Sequence, residues 1–284
     1  MAWDWPPENR FLRGIYLLVR RYLRHNVGIQ SAALAFYLLF MIFPFLIFIS
    51  ALLGLLRLDV AAILTALGEL LPREVVELIG VYLRYVGENP SLRLLLFGLL
   101  FSIYFPMRAT NALLRAVRTA YHLGPPRFGA RHWMKTLLYT VVLILTIVLT
   151  LTAMTVGERL LTWGVDRFRL PAVLAEIWAR LRFPAAAAAG YFALLFLYAL
   201  AQDSRQPWGN MWPGTVFSLA AWMAISWLYS LYVENFADYS LLYGSIGTVI
   251  VLLIWLYLSS NVLILGAEVN GVLMSLRKDS AEET

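Results

Sequence analysis

The sequence predicts an all-α integral membrane protein. It reads as a bundle of six transmembrane helices, with an N-terminal amphipathic surface helix and short amphipathic helices on the outer side. Three observations predict this. Hydrophobic residues make up 61% of the 284 and charged residues only 14%, about half the roughly one quarter usual in a soluble domain. Six long runs carry no charge. Those runs lack the strict alternation of outer-membrane strands. A soluble globule of this size has nowhere to hide so much apolar surface, so much of the chain has lipid as its solvent. A cytosolic enzyme, a disordered chain and a secreted disulfide scaffold are excluded. With no cysteine, disulfides, thiolate nucleophiles and cysteine metal sites are excluded too.

The first element is an arm, residues 1–26. Phe11, Leu12, Ile15, Tyr16, Val19, Tyr22 and Leu23 form an apolar stripe at helical spacing, and Arg10, Arg13, Arg20, Arg21 and Arg24 take the other side. This predicts a helix lying on the inner leaflet and attracted by anionic lipid. The stripe leads straight into a span, which disfavours a nucleic-acid-binding arm.

The uncharged runs are Val27–Leu56, Leu94–Met107, Thr136–Gly157, Phe183–Ala201, Gln206–Val233 and Tyr239–Ala267, the last continuing past Glu268 to Leu276. A spanning helix needs roughly 20 apolar residues. The second run reaches that only if its helix continues past Arg108 toward Tyr121. The spans are placed at about 27–56, 92–120, 134–158, 183–202, 211–233 and 243–275, within one transmembrane domain of residues 27–276. The first is too long for a signal peptide. Between the first two spans, Asp59 to Glu88 reads as two short amphipathic helices broken at Leu71-Pro72. The loop from Leu160 to Arg182 reads as partly helical, with Glu158 and Asp166 in ordinary ion pairs. Pro125-Pro126 and Gly129 mark the loop before span three. Trp3, Trp5, Trp208 and Trp212 suit an interfacial belt. The tail, residues 277–284, is polar.

Cations set direction. One side carries Arg10, Arg13, Arg20, Arg21, Arg24, Arg108, Arg115, Arg118, Arg127, Arg131, Lys135, Arg205, Arg277 and Lys278, fourteen in all, against nine arginines on the other. Both termini are therefore placed in the cytoplasm.

Three spans carry polar residues on one face. They are Asn26, Gln30, Tyr37 and Pro44 in span one; Tyr104, Arg108, Asn111, Arg115, Arg118 and His122 in span two; and Tyr257, Asn261 and Glu268 in span six. With the direction above, the stripes share one depth, and a polar cleft open to the cytoplasm solvates them. Plainer readings stand beside this. The arginines also suit topology and lipid phosphates. Glu268 also suits a structural partnership with one of them. Gln30 and Asn261 suit helix–helix hydrogen bonds, and Tyr37 and Tyr257 suit packing. Pro44 suits a structural kink. Gly244 and Gly247 suit close helix packing.

Four stretches have a further likeness. They are Gln30 to Gly54 (QSAALAFYLLFMIFPFLIFISALLG), Asn111 to Tyr121, Pro213-Gly214-Thr215, and Tyr243 to Asn270 (YGSIGTVIVLLIWLYLSSNVLILGAEVN). In order and spacing, from residue 10 to residue 275, the chain resembles the YihY/virulence factor BrkB family of bacterial inner-membrane proteins. The resemblance implies six helices in the cytoplasmic (inner) membrane and a biochemical role largely unassigned, with transport or envelope-lipid handling the usual suggestions. Some relatives have been labelled ribonuclease BN. Three scattered histidines without a HxHxDH-like cluster give that label no support.

The preferred expectation is a transporter or lipid-handling protein with a cytoplasm-facing polar cavity. Arg108 and Arg115 bind an anionic small molecule or lipid headgroup, Gln30, Tyr37, Asn111 and Asn261 line the cavity, and Glu268 pairs with the arginines or carries a proton. The alternative is a non-transporting scaffold or regulator of the envelope, docking a partner on the basic arm and the Arg115–Lys135 loop. An intramembrane lipid enzyme ranks third. No catalytic set, cofactor, metal or nucleic acid is expected. Bilayer lipid, anionic at the inner leaflet, is the expected partner; the sequence specifies neither a protein partner nor an oligomeric state.

Overall fold

The computed structural model describes residues 9–56, 91–124, 132–146 (except 143), 173–201, 208–235 and 245–282, with isolated positions between. Among the described residues the chain is helical and has no strand. The helices are α1 (Arg10–Arg24), α2 (Val27–Leu56), α3 (Leu92–Ala120), α4 (His132–Thr146), α5 (Val173–Leu200), α6 (Trp212–Asn235) and α7 (Ser245–Glu282); a 3-10 turn, Trp208–Asn210, precedes α6. Five are long and apolar enough to cross a membrane: Val27–Phe48, Leu92–Ala120, Arg180–Leu200, Trp212–Val233 and Val249–Arg277. The second expected span does continue through Arg108, in one helix to Ala120. For the third, 134–158, only the apolar helix His132–Thr146 is described. The expected outer helices of 59–88 fall almost wholly outside the described residues, as do Trp3, Trp5, Pro125-Pro126, Glu158, Asp166, Gly244 and much of the 160–182 loop.

Local chemistry sets the ends. Asn9 caps α1, its Oδ1 accepting from the Phe11 N–H at 2.9 Å, as a short polar side chain does for the orphan donors of a first turn. Asn26 then takes φ 52° between α1 and α2, a left-handed conformation that asparagine tolerates. It belongs to the turn, so the polar face of span one begins at Gln30, not at Asn26. His122 has φ 54° just past α3, and the Leu123 N–H bonds the Arg118 carbonyl at 2.9 Å. This closes the helix in the manner of a left-handed C-cap. His122 therefore does not continue the stripe of span two. Pro44, Pro106 and Pro184 lie inside α2, α3 and α5, which run through them.

The chain divides into two units, residues 1–35 with 110–284, and residues 36–109. The core of the first is where α6 meets α7. A Cβ at Gly214 would collide with the Gly266 carbonyl, and one at Gly266 with Ser218 Oγ. Small residues let membrane helices approach this closely. Tyr198 of α5, fully buried, seals the contact: its hydroxyl donates to the Leu263 carbonyl at 2.6 Å and lies 2.9 Å from Ser218 Oγ. Thr140 Oγ1 of α4 donates to Thr110 Oγ1 of α3 at 2.9 Å. In the second unit α2 and α3 touch at Gly98, where a Cβ would strike the Phe48 backbone. The apolar stripe of α1 is open, with Phe11 74% and Leu23 68% exposed.

Candidate functional site

Polar residues of the first unit gather where α1, the end of α3 and α7 meet. His25 caps α1, its backbone N–H bonding the Arg21 carbonyl while the Asn26 N–H bonds that of Leu23. Its Nδ1 lies 2.6 Å from Glu268 Oε1 on α7, with the two side chains 12% and 1% exposed. A nitrogen and a carboxylate oxygen so close share a proton. Glu268 Oε2 is buried and has no hydrogen-bond partner among the described residues. A carboxylate inside a spanning helix is expensive, and one with an oxygen left over is more so.

Arg21, one turn before His25, is buried too. Its guanidinium donates to Ser275 Oγ at 3.0 Å and to the Ala120 carbonyl at 3.4 Å. Burial pulls its pKa down while the charge of Glu268 acts against that, and a guanidinium stays protonated in any protein setting. Beside it, Gly271 packs so close to the Ala120 carbonyl that a Cβ would collide. Tyr22 donates to Asn261 Oδ1 at 3.1 Å, and Asn261 Nδ2 to the Tyr257 carbonyl at 3.1 Å. Burial, then Tyr257, pushes the Tyr22 phenol up. Gln30 donates to the His25 carbonyl at 2.6 Å, closing the turn. His122 sets its ring edge-on to His25, centroids 5.6 Å apart. Asn270, two residues after Glu268 on α7, accepts from the Gly214 N–H at 2.7 Å and donates to the Met211 carbonyl at 2.8 Å. It thereby satisfies the start of α6.

The second unit holds a cation of another kind. Arg108 is exposed and donates to the Tyr37 hydroxyl at 3.2 Å. Its guanidinium lies 5.4 Å from the Tyr37 ring centre and 5.9 Å from that of Tyr104, within cation–π range. Sixteen residues after Leu92, it is about 24 Å along α3, toward the far end of a span of about 30 Å counted from Leu92.

The expected site residues thus fall into separate settings. Tyr37 and Arg108 meet. Glu268 pairs with His25, a residue to which the sequence reading gave no role. Asn111 Oδ1 faces His132 Nε2 at 3.0 Å and accepts from Thr136 at 3.3 Å. Arg115 is exposed. Arg118, expected at lipid phosphates, is instead 8% exposed and donates to the Gly124 carbonyl at 2.9 Å and the Ala201 carbonyl at 2.9 Å. Two chain ends that would otherwise present bare carbonyls need that cation. Arg21 is corrected likewise, from the water-facing side of the arm to the interior. Among the described residues no three His, Asp or Glu side chains are placed to hold a metal ion.

A family model described as Virulence factor BrkB matches residues 18–284. This chain belongs to the virulence factor BrkB family. Similar relatives include the putative ribonuclease-like protein YfkH of Bacillus subtilis, 30% identical over 261 residues, covering 92% of this chain and 95% of the relative. A UPF0761 membrane protein of Pseudoalteromonas translucida is 32% identical over 74 residues, 26% of this chain and 25% of its own. One of Pseudomonas aeruginosa is 36% identical over 75 residues, 26% of this chain and 18% of its own. No solved structure matches the chain. Family and helices together make it a multi-pass bacterial membrane protein. In this BrkB-family chain the stretch Gly266-Ala267-Glu268-Val269-Asn270 does three jobs within five residues. Gly266 admits α6, Glu268 takes His25, and Asn270 holds the start of α6.

Proposed function

We propose that this chain is a transporter or lipid-handling protein of the bacterial cytoplasmic membrane, whose substrate is an anionic small molecule or lipid headgroup. In this reading it crosses six times, with α4 and the residues beyond it forming the third span. The arm of residues 1–26 and the tail of residues 277–284 lie in the cytoplasm around one transmembrane domain, residues 27–276. The excess of Lys and Arg on that side supports the direction, and the open apolar stripe of α1 supports a helix resting on anionic inner-leaflet lipid.

The observation that carries the proposal is the His25–Glu268 pair, 2.6 Å apart and 1% exposed at the carboxylate, with one oxygen unpartnered. A purely structural ion pair in lipid gains by satisfying both oxygens, or by giving way to apolar packing. An ionisable pair kept with spare acceptor capacity is suited to taking up and releasing a proton. His25 caps α1 and Glu268 lies on α7, so this contact governs how α1 is held. The pair is the polar, cytoplasm-facing feature of the first unit. Arg115 of the same unit and, in the second unit, Arg108 are each proposed as cations for the anion. Ribonuclease chemistry is no part of the proposal; that word belongs to the name of the Bacillus subtilis relative.

Native mass spectrometry of the gently solubilised protein, with identification of retained lipids and metabolites, tests it. Wild type holds one discrete anionic species, which Arg108→Ala and Glu268→Gln lose. Bulk lipid alone, held equally by all three, would overturn the proposal in favour of a non-transporting scaffold.

A further inference from the structure

Arg108 does not stand alone in the second unit. Tyr104 and Phe101 lie four and seven residues before it, on the same face of α3. Phe101 meets Tyr104 at 6.2 Å and Phe105 at 5.9 Å between ring centres. Phe105 meets Phe40 of α2 at 5.8 Å, and Phe40 meets Phe36 at 4.4 Å. Phe36 reaches Tyr37 at 5.7 Å, and Tyr37 bonds Arg108. The rings thus form one connected wall across two helices, ending at a guanidinium. The wall is open: Phe36 is 47%, Phe40 40% and Tyr104 45% exposed. From Phe101 to Arg108 it runs about 10 Å along the helix.

We infer that this wall and Arg108 form a binding site for one anionic phospholipid, with the phosphate on the guanidinium and an acyl chain along the rings. The inference rests on the proposed function and names the substrate class at its anion-binding arginine. Charge complementarity selects the head. Arg108 spends one of its five N–H donors on Tyr37, and no acidic side chain among the described residues pairs with it. Its other donors match the fork of phosphate oxygens. Tyr37 and Tyr104 hold the guanidinium by their ring faces, so little side-chain freedom is lost when the phosphate arrives. The rings select the tail, because a free anion gains nothing from an apolar wall within a span. An apolar protein helix would cover the rings and leave the cation without a counter-charge.

Binding to the full-length protein in neutral detergent, read by native mass spectrometry and by competition, tests this. The probes are phosphatidylglycerol, phosphatidylcholine, glycerol 3-phosphate and inorganic phosphate. Phosphatidylglycerol is expected to bind one to one, at least tenfold more tightly than any other probe. Arg108→Gln lowers that affinity at least tenfold, Arg108→Lys lowers it less, and Phe101→Ala with Phe40→Ala weakens it without changing the response to free phosphate. Thermal unfolding of each variant separates loss of binding from loss of fold. Glycerol 3-phosphate binding as tightly as the lipid would overturn the lipid assignment and leave the anion-transport reading standing. Lipid held equally by wild type and Arg108→Gln, at many molecules per chain, would make the wall ordinary bilayer contact and overturn the inference, while the Glu268 test remains decisive for the proposed function.

Discussion

His25 Nδ1 and Glu268 Oε1 lie 2.6 Å apart, joining the C-cap of a basic arm helix to a carboxylate in the second half of the final membrane helix. The Asn26 turn makes this possible. With φ 52° at Asn26, the chain leaves α1 and enters α2 at once, and Gln30 ties the turn by bonding the His25 carbonyl. The neighbouring Arg21 is thereby brought to the Ala120 carbonyl and Ser275.

His25→Ala removes the sole hydrogen-bond partner that Glu268 has among the described residues. Stranding a buried charge costs roughly 3–5 kcal/mol. The variant should unfold at a clearly lower temperature in detergent, and adding Glu268→Gln should recover most of the loss. A double-mutant cycle by thermal unfolding measures the coupling. Additive losses would mean that the two residues do not act together.

Gly266→Ala and Gly214→Ala put a methyl group into occupied space. Overpacking of this kind costs about 1–3 kcal/mol, and more where backbone must move. Both variants should lower the folded yield in membranes, whereas Gly190→Ala, whose Cβ would meet only Leu219 at 3.7 Å, should be tolerated. Fluorescence-detected size exclusion gives the readout.

Arg118 and Arg20 look alike in the sequence, each an arginine beside a span. Arg118 is buried on two carbonyls, whereas Arg20 is exposed. Arg118→Ala leaves those carbonyls unsatisfied, at about 1–3 kcal/mol. Arg20→Ala should stay within about 0.5 kcal/mol. Thermal unfolding of the two variants decides whether the distinction is real.

A chain without cysteine accepts single spin labels cleanly. Labels placed by Val19→Cys and Arg20→Cys should differ if α1 rests on lipid. The first should be quenched by oxygen and the second by a water-soluble relaxant. Equal access of the aqueous relaxant to both would place the whole helix in water.

The range of each interaction decides whether it can be read in the sequence. Spans are local, because lipid forces about 20 consecutive apolar residues into one helix. That is why α2, α3, α5, α6 and α7 could be placed from uncharged runs, and why α3 could be carried through Arg108. The α1 stripe is local for the same reason. Glu268 and Arg108 also stood out, as ionisable groups where lipid disfavours them. Their partners did not. His25 lies 243 residues from Glu268, and only the fold brings them together. Arg21 sits among the arginines of the arm and carries no local mark of burial. One signal was available: Arg21, His25 and Gln30 lie within ten residues of one another where the basic arm meets the first uncharged run. Asn111 was read with Arg108 by spacing alone, yet its hydrogen bonds go to His132 and Thr136 of α4, a contact that periodicity along one helix cannot register.

In the proposed function the His25–Glu268 pair works rather than merely holds. Proteoliposomes give the direct measurement: movement of the retained anionic species by wild type and by Glu268→Gln, with thermal unfolding of the same preparations. Glu268→Gln is expected to unfold within a few degrees of wild type and to move none of the anion. Movement at the wild-type rate by Glu268→Gln, or none by wild type, would contradict it.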